Sequence, residues 1–206
     1  MLVVVRLDPN RVQLKVFYSP TTPRRVRDWL HYQQADVAIN GGYFNDQNVA
    51  TALVIVDGVA TGKSYSGFGG LFALRGDPQN LIPSLQWLKT KPYRPDKRIR
   101  YALQGSPMLV TEGTTVPGIS DNGERNRRSF IALDKQGRVL LGICQFAQWT
   151  LTDLANYLAE TKALEIQNAL NLDGGASTGL WVNSEDDSTL TDSFEQVPLV
   201  IVGSSN

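Results

Sequence analysis

At 206 residues, with 20 basic and 20 acidic side chains and only 19% of residues charged, the chain is long enough for one domain with its own core and carries no net field for nucleic acid or an anionic membrane. Its one cysteine, Cys144 within VLLGICQF, excludes a disulfide framework and a cysteine-based zinc site and reads as a buried free thiol. No run approaches the ~20 apolar residues of a transmembrane helix, and the opening MLVVVRLDPN lacks signal-peptide features; the expected location is secreted or periplasmic if a leader was removed, otherwise cytoplasmic.

In chain order, Leu2 to Leu7 and Val12 to Tyr18 read as two β-segments joined by the turn residues DPNR, which predicts an opening hairpin. Val26, Trp29 and Leu30 then recur at helical spacing between Arg24 and Gln34. DVAIN reads as a buried strand, TALVIVDGVATG as a hairpin turning at Asp57-Gly58, and GGLFALR as a further strand. The stretch Pro78 to Arg100 reads as an exposed connection, after which YALQGSPMLV resumes strand and breaks at Gly105-Ser106-Pro107. SFIALDKQGRVLLGIC predicts a hairpin around Gly137. Thr150 to Leu164 predicts a helix, with Leu151, Leu154, Ala155 and Leu158 on one face and a Thr150/Asp153 capping box, and PLVIVG closes the chain as a strand. The expected fold class is α+β: a single domain over residues 1–206, with a mixed, largely antiparallel sheet built from hairpins and two or three helices.

Two familiar motifs lack their context. GASTG would make Ser177 a nucleophile, but LWVN follows where a helix is required, and His31, the single histidine, lies far upstream in a helical stretch. DGVATGKS is one residue short of a phosphate-binding loop and leads into a strand. No dinucleotide, zinc-protease or EF-hand motif occurs.

A different pattern recurs. In AINGGYFN, LQGSPMLV and LNLDGGAST a polar side chain, Asn40, Gln104 or Asp173, ends an apolar run immediately before glycine. Glycine allows close backbone approach and the strand holds the polar group in place, so the three ends predict one shared cleft. In NGERNRRSF, Arg125, Arg127 and Arg128 precede a strand; Arg128 adjoins it and offers a planar anion clamp, while Arg125 and Arg127 read equally well as loop charges.

These segments, with RRSFIALDKQGRVLLGI and TLTDLANYL between them, resemble the phosphodiester glycosidase family in order and approximate spacing from Asn40 to Ser177. The resemblance implies a hydrolase that cleaves the C1–O bond of a sugar-1-phosphodiester, on a small or polymeric sugar phosphate, in a short, bacterial form of the domain. Phosphate is a weakly basic leaving group, so the bond breaks without a strong general acid, and a chain lacking a catalytic histidine suffices. The resemblance assigns Asp173 to the carboxylate role and Arg128 to the departing phosphate. It makes Asn40, Gly41 and Gly42 a rim for the sugar and Gln104 and Ser106 a second wall, with Arg127, Asn171, Gly174, Gly175 and Ser177 beside the carboxylate. The alternative is a non-catalytic glycan-binding domain of the cell envelope, holding sugar on Tyr43, Phe44 and Trp181. No cofactor is implied; oxygens of Asp46, Asn171 and Asp173 suit calcium or magnesium, without a specific motif.

Overall fold

The apolar alternation of the sequence becomes fifteen strands and two α-helices among the described residues, 1–183 and 191–205, of the computed structural model. β1 (Leu2–Leu7) and β2 (Val12–Tyr18) precede α1 (Val26–Gln33). Next come β3 (Val37–Asn40), β4 (Val54–Val56), β5 (Val59–Thr61), β6 (Gly70–Asp77), β7 (Asn80–Trp87), β8 (Ile99–Gly105), β9 (Met108–Thr111) and β10 (Thr114–Thr115). β11 (Asn126–Asp134), β12 (Val139–Trp149), α2 (Leu151–Glu160), β13 (Ile166–Asn171), β14 (Leu180–Val182) and β15 (Leu199–Ser205) complete the chain.

The strands form a six-stranded sheet in the order β1-β12-β11-β13-β9-β10, a four-stranded sheet β14-β3-β15-β2 and a five-stranded sheet β5-β4-β8-β6-β7. Each sheet turns one face to a common core, where Ile131, Leu141 and Leu170 meet Val16, Ile39 and Ile201 and then Val54, Phe72 and Leu103. The period of two along each strand sends the intervening residues outward. Phe130, Leu140 and Ala169 there pack under Leu154, Ala155 and Leu158 of α2. Ala38 and Val200 pack under Val26, Trp29 and Leu30 of α1, and Leu71, Ala73 and Ala102 lie under Leu88 and Ile99.

Local signals account for many of the turns. Thr150 and Asp153 form the reciprocal capping box of α2. Asp57 and Gly58 both have positive φ, 49° and 82°, as a two-residue hairpin turn between β4 and β5 requires, and Gly137 (φ 79°) serves the β11–β12 hairpin.

Three expectations are corrected. Among the described residues every pairing is antiparallel, and strand outweighs helix well beyond a balanced α+β fold. The first two strands are not a hairpin: the turn closes, with Arg11 N donating to Asp8 O at 2.9 Å, but β1 pairs with β12 and β2 with β15 in a different sheet. The chain uses that turn to cross from one sheet to the next, and pairing goes to the strands that share each buried face. Finally, the stretch Pro78 to Arg100 contains β7, an edge strand opposite β6, where Pro83 is tolerated because its missing N–H faces no further strand.

Candidate active site

The site lies where β3, β11 and β13 end together. Phe130 of β11 stands opposite Asn171 of β13, and Leu172 N donates to Ser129 O at 2.9 Å, carrying the ladder one step further. By strand alternation Arg128, two residues before Phe130, and Asp173, two beyond Asn171, lie towards the face that Asn171 shares. Beneath Arg128 on the next strand is Cys144, buried and free, its thiol pushed up to about 12 chiefly by burial.

The end of β3 clasps Asp173 by its main chain. Asn40 Nδ2 donates to the Asp173 carbonyl at 2.8 Å, and Asp173 N donates to Gly41 O at 3.0 Å. Asn40 Oδ1 accepts from Ser129 Oγ at 2.7 Å and from Gly179 N at 3.2 Å. This fully buried amide is a junction between three segments, with no free group for a ligand. Glycine is needed beside it: a Cβ on Gly41 would come within 2.6 Å of Leu199 Cγ, and one on Gly42 within 2.7 Å of Gln104 O. The tight passage delivers Tyr43 to the site, where its hydroxyl donates to Ser106 O at 2.7 Å and accepts from Asn171 Nδ2 at 2.8 Å. Burial, and next the charge of Asp173, push the Tyr43 hydroxyl up to about 12, so it stays protonated.

Asp173 has one oxygen tied to Gly174 N at 2.8 Å. Burial, and to a lesser degree the charge of Glu195, raises its carboxyl from an ordinary 3.8 to about 6, against the opposing influence of Ser177 and the Gly174 amide. It opens on a hollow of about 460 Å³, lined also by Phe44, Asn45, Asp46, Asn48, Gly174, Ser177, Glu195 and Gln196. Arg128 is held on its other side by Glu124 O (2.7 Å) and Trp149 O (3.4 Å), both neutral carbonyls that leave its charge unpaired by any carboxylate among the described residues. Arg128 and Asp173 both act on the Tyr43 hydroxyl, with opposite signs.

The structure thus brings together Arg128, Asn171, Asp173, Gly174, Ser177 and the main chain of Ser106, and sets Asn40, Gly41 and Gly42 behind them as a frame. Gln104 does not line a wall: it is buried, donates to Tyr65 O (3.0 Å) and Phe68 O (2.8 Å) and accepts from Tyr65 N (3.1 Å), anchoring that loop. Arg127 also points away. Alternation turns it to the opposite face, where Nη2 donates to Thr178 O (2.7 Å) and Asp192 O (3.1 Å) beneath the Phe194 ring. Gly175 takes φ 61° in the short turn that brings Ser177 round to Asp173. Arg125 is exposed and pairs with Asp153, and His31 is exposed on α1. No group of three His, Cys, Asp or Glu side chains converges at metal-binding range among the described residues.

Sequence reasoning missed Ser129 and Glu195. Ser129 carried no signal, being one hydroxyl within an apolar strand. Glu195 carried a weak one: it is a charge shortly before the apolar run VPLVIVG, much as Arg128 precedes its strand.

A family model described as phosphodiester glycosidase matches residues 33–202. The uncharacterized protein YigE of Escherichia coli (strain K12) is 26% identical over 155 residues, covering 70% of this chain and 57% of that protein, so the chain spans little more than half of this relative. Among solved structures, the chain superposes over 100% of its length on 83% of the zebrafish N-acetylglucosamine-1-phosphodiester alpha-N-acetylglucosaminidase catalytic domain, auto-inhibited by its pro-peptide, with TM-score 0.75 and 16% identity. It also matches a hypothetical protein from Synechocystis, with TM-score 0.68 and 15% identity over 98% of this chain and 58% of that one. At these identities the two structures show a shared fold. No helix among the described residues is long and apolar enough to cross a membrane.

Proposed function

Because the chain belongs to the phosphodiester glycosidase family, we propose that it hydrolyses a sugar-1-phosphodiester in a glycan or glycoconjugate, breaking the C1–O bond to give free sugar and a phosphomonoester. The observation that carries this reading is the placing of a half-buried carboxylate, Asp173, and a guanidinium, Arg128, that no carboxylate neutralises among the described residues, about the Tyr43 hydroxyl on which both charges act. As C1–O cleavage proceeds, positive charge grows on the sugar ring and negative charge on the phosphate. A carboxylate on one side and a cation on the other stabilise both, and neither has to move during the step.

In this reading the sugar occupies the hollow beside Asp173, and the phosphate lies towards Arg128 and the Tyr43–Asn171 pair. With a carboxyl near 6, Asp173 is largely ionised at neutral pH yet basic enough to take a proton from attacking water. Tyr43 and Asn171 shape that side of the site from fixed positions, because both donate to Ser106 O. The departing phosphate carries its own charge and needs no protein acid.

Turnover in ¹⁸O-water tests the bond broken. With a p-nitrophenyl phosphodiester of a sugar, C1–O cleavage leaves the p-nitrophenyl phosphate unlabelled. Label in the phosphate would instead make the protein a phosphodiesterase, and binding without turnover would favour the glycan-binding alternative.

A further inference from the structure

Glu195 is exposed, yet it is held like a working side chain. Phe194 N and Glu195 N both donate to Ala176 O (2.8 and 3.4 Å), and Ser193 Oγ donates to Glu195 O at 2.7 Å. Arg127 fixes the same turn from below, through Asp192 O and the Phe194 ring. The result is a glutamate whose Oε1 accepts from Ser177 Oγ at 2.6 Å, over the hollow onto which Asp173 opens. Ser177 lines that hollow together with Asp173, and its hydroxyl favours the ionised form of the Asp173 carboxyl. A hydroxyl has one proton to donate, so two carboxylates compete for it.

We propose that Glu195 is a positioning residue that acts through Ser177, drawing the serine's single proton away from Asp173 so that Asp173 keeps the basicity its role requires. The inference rests on the hydrolytic reading for its purpose, but the coupling itself does not. In the resting protein the short bond to Glu195 takes the proton, and ionised Asp173 is left with the Gly174 amide. When Asp173 is meant to accept a proton from water, this withholding raises its drive to do so. The charged and titratable groups around Asp173 are Tyr43 from the loop after β3, Asp46 across the hollow, Arg128 from β11 and Glu195. Tyr43 stays protonated throughout, which leaves Glu195 as the acid linked to Asp173 by a hydrogen-bonding side chain.

The test is the titration of the Asp173 carboxyl by ¹³C NMR, which needs no substrate and so stands apart from the fate of the hydrolytic reading. Glu195→Gln removes the competing charge and offers Ser177 a donor, turning the hydroxyl proton to Asp173; the midpoint falls by about half a pH unit or more. Ser177→Ala removes a donor that Glu195 already holds, so it moves the midpoint by less than Glu195→Gln does. Adding Glu195→Gln to Ser177→Ala recovers only a fraction of the downward movement, and Glu195→Asp, with its shortened reach, falls between wild type and Glu195→Gln. An unchanged midpoint in Glu195→Gln would overturn the proposal. An equal movement with and without Ser177 would overturn it too, since Glu195 would then act through space alone.

Discussion

Asn40 and Asp173 lie 133 positions apart in the sequence, yet the side-chain amide of one donates to the main-chain carbonyl of the other at 2.8 Å. The bond ties the end of a strand in the four-stranded sheet to the end of a strand in the six-stranded sheet, and the candidate carboxylate is mounted on that joint.

Removing the joint should cost stability. Asn40→Ala leaves the buried Ser129 hydroxyl and Gly179 amide without that partner, and the part-buried Asp173 carbonyl as well. Two orphaned buried groups predict a loss of about 2–5 kcal/mol in denaturant unfolding. A loss within experimental error would mean that the main-chain bonds around Asp173 suffice.

The glycine beside it is required by space. Gly42→Ala places a Cβ within 2.7 Å of Gln104 O, a backbone atom that cannot swing aside. The expected cost is about 1–3 kcal/mol, together with reduced activity, because the displaced backbone carries Tyr43. Unfolding curves and initial rates measured on the same sample check both parts.

Asp173 should oppose folding at neutral pH. Its carboxyl is near 6 in the folded protein against an ordinary 3.8, so between about pH 4 and 6 the folded state binds more protons than the unfolded state. Stability therefore falls as pH rises through that window, and above it the deficit stays at about 2–3 kcal/mol. Asp173→Asn keeps an oxygen for Gly174 N and removes the deficit. The variant should be more stable than wild type at pH 7 and similar to it near pH 4, as unfolding at the two pH values will show.

Much of this architecture was legible in the chain. The capping box at Thr150, the Asp57-Gly58 turn and the β11–β12 hairpin are local events, decided by residues a few positions apart. The partner of β1 was not legible, because DPNR specifies a reversal and says nothing about which distant strand offers a matching buried face. The site divides in the same way. Strand-end placement pointed to Asn40, Gln104 and Asp173, since a polar group before glycine is a local pattern, and to Arg128, since it adjoins a strand. The inward use of Asn40 and Gln104 was hidden, because an amide binds a ligand or a backbone with the same atoms and only the fold decides which is near. The separation of Arg127 from Arg128 follows from strand alternation, but only once the start of β11 is known.

Arg128 should not be replaceable by lysine. Its guanidinium reaches Glu124 O and Trp149 O and still has donors for an anion, whereas an ammonium offers no planar, bidentate contact. Arg128→Lys and Arg128→Ala should lower kcat and kcat/KM together by roughly 10²-fold on a sugar-1-phosphodiester. A change confined to KM would reduce Arg128 to recruiting substrate.

The most direct measurement is the rate of sugar release from a sugar-1-phosphodiester by wild type and by Asp173→Asn at pH 7, with folding of both confirmed. The account predicts turnover by wild type and a fall of roughly 10²–10³-fold in kcat for the variant, the scale of losing one preorganised electrostatic group. Equal rates in the two proteins would contradict it.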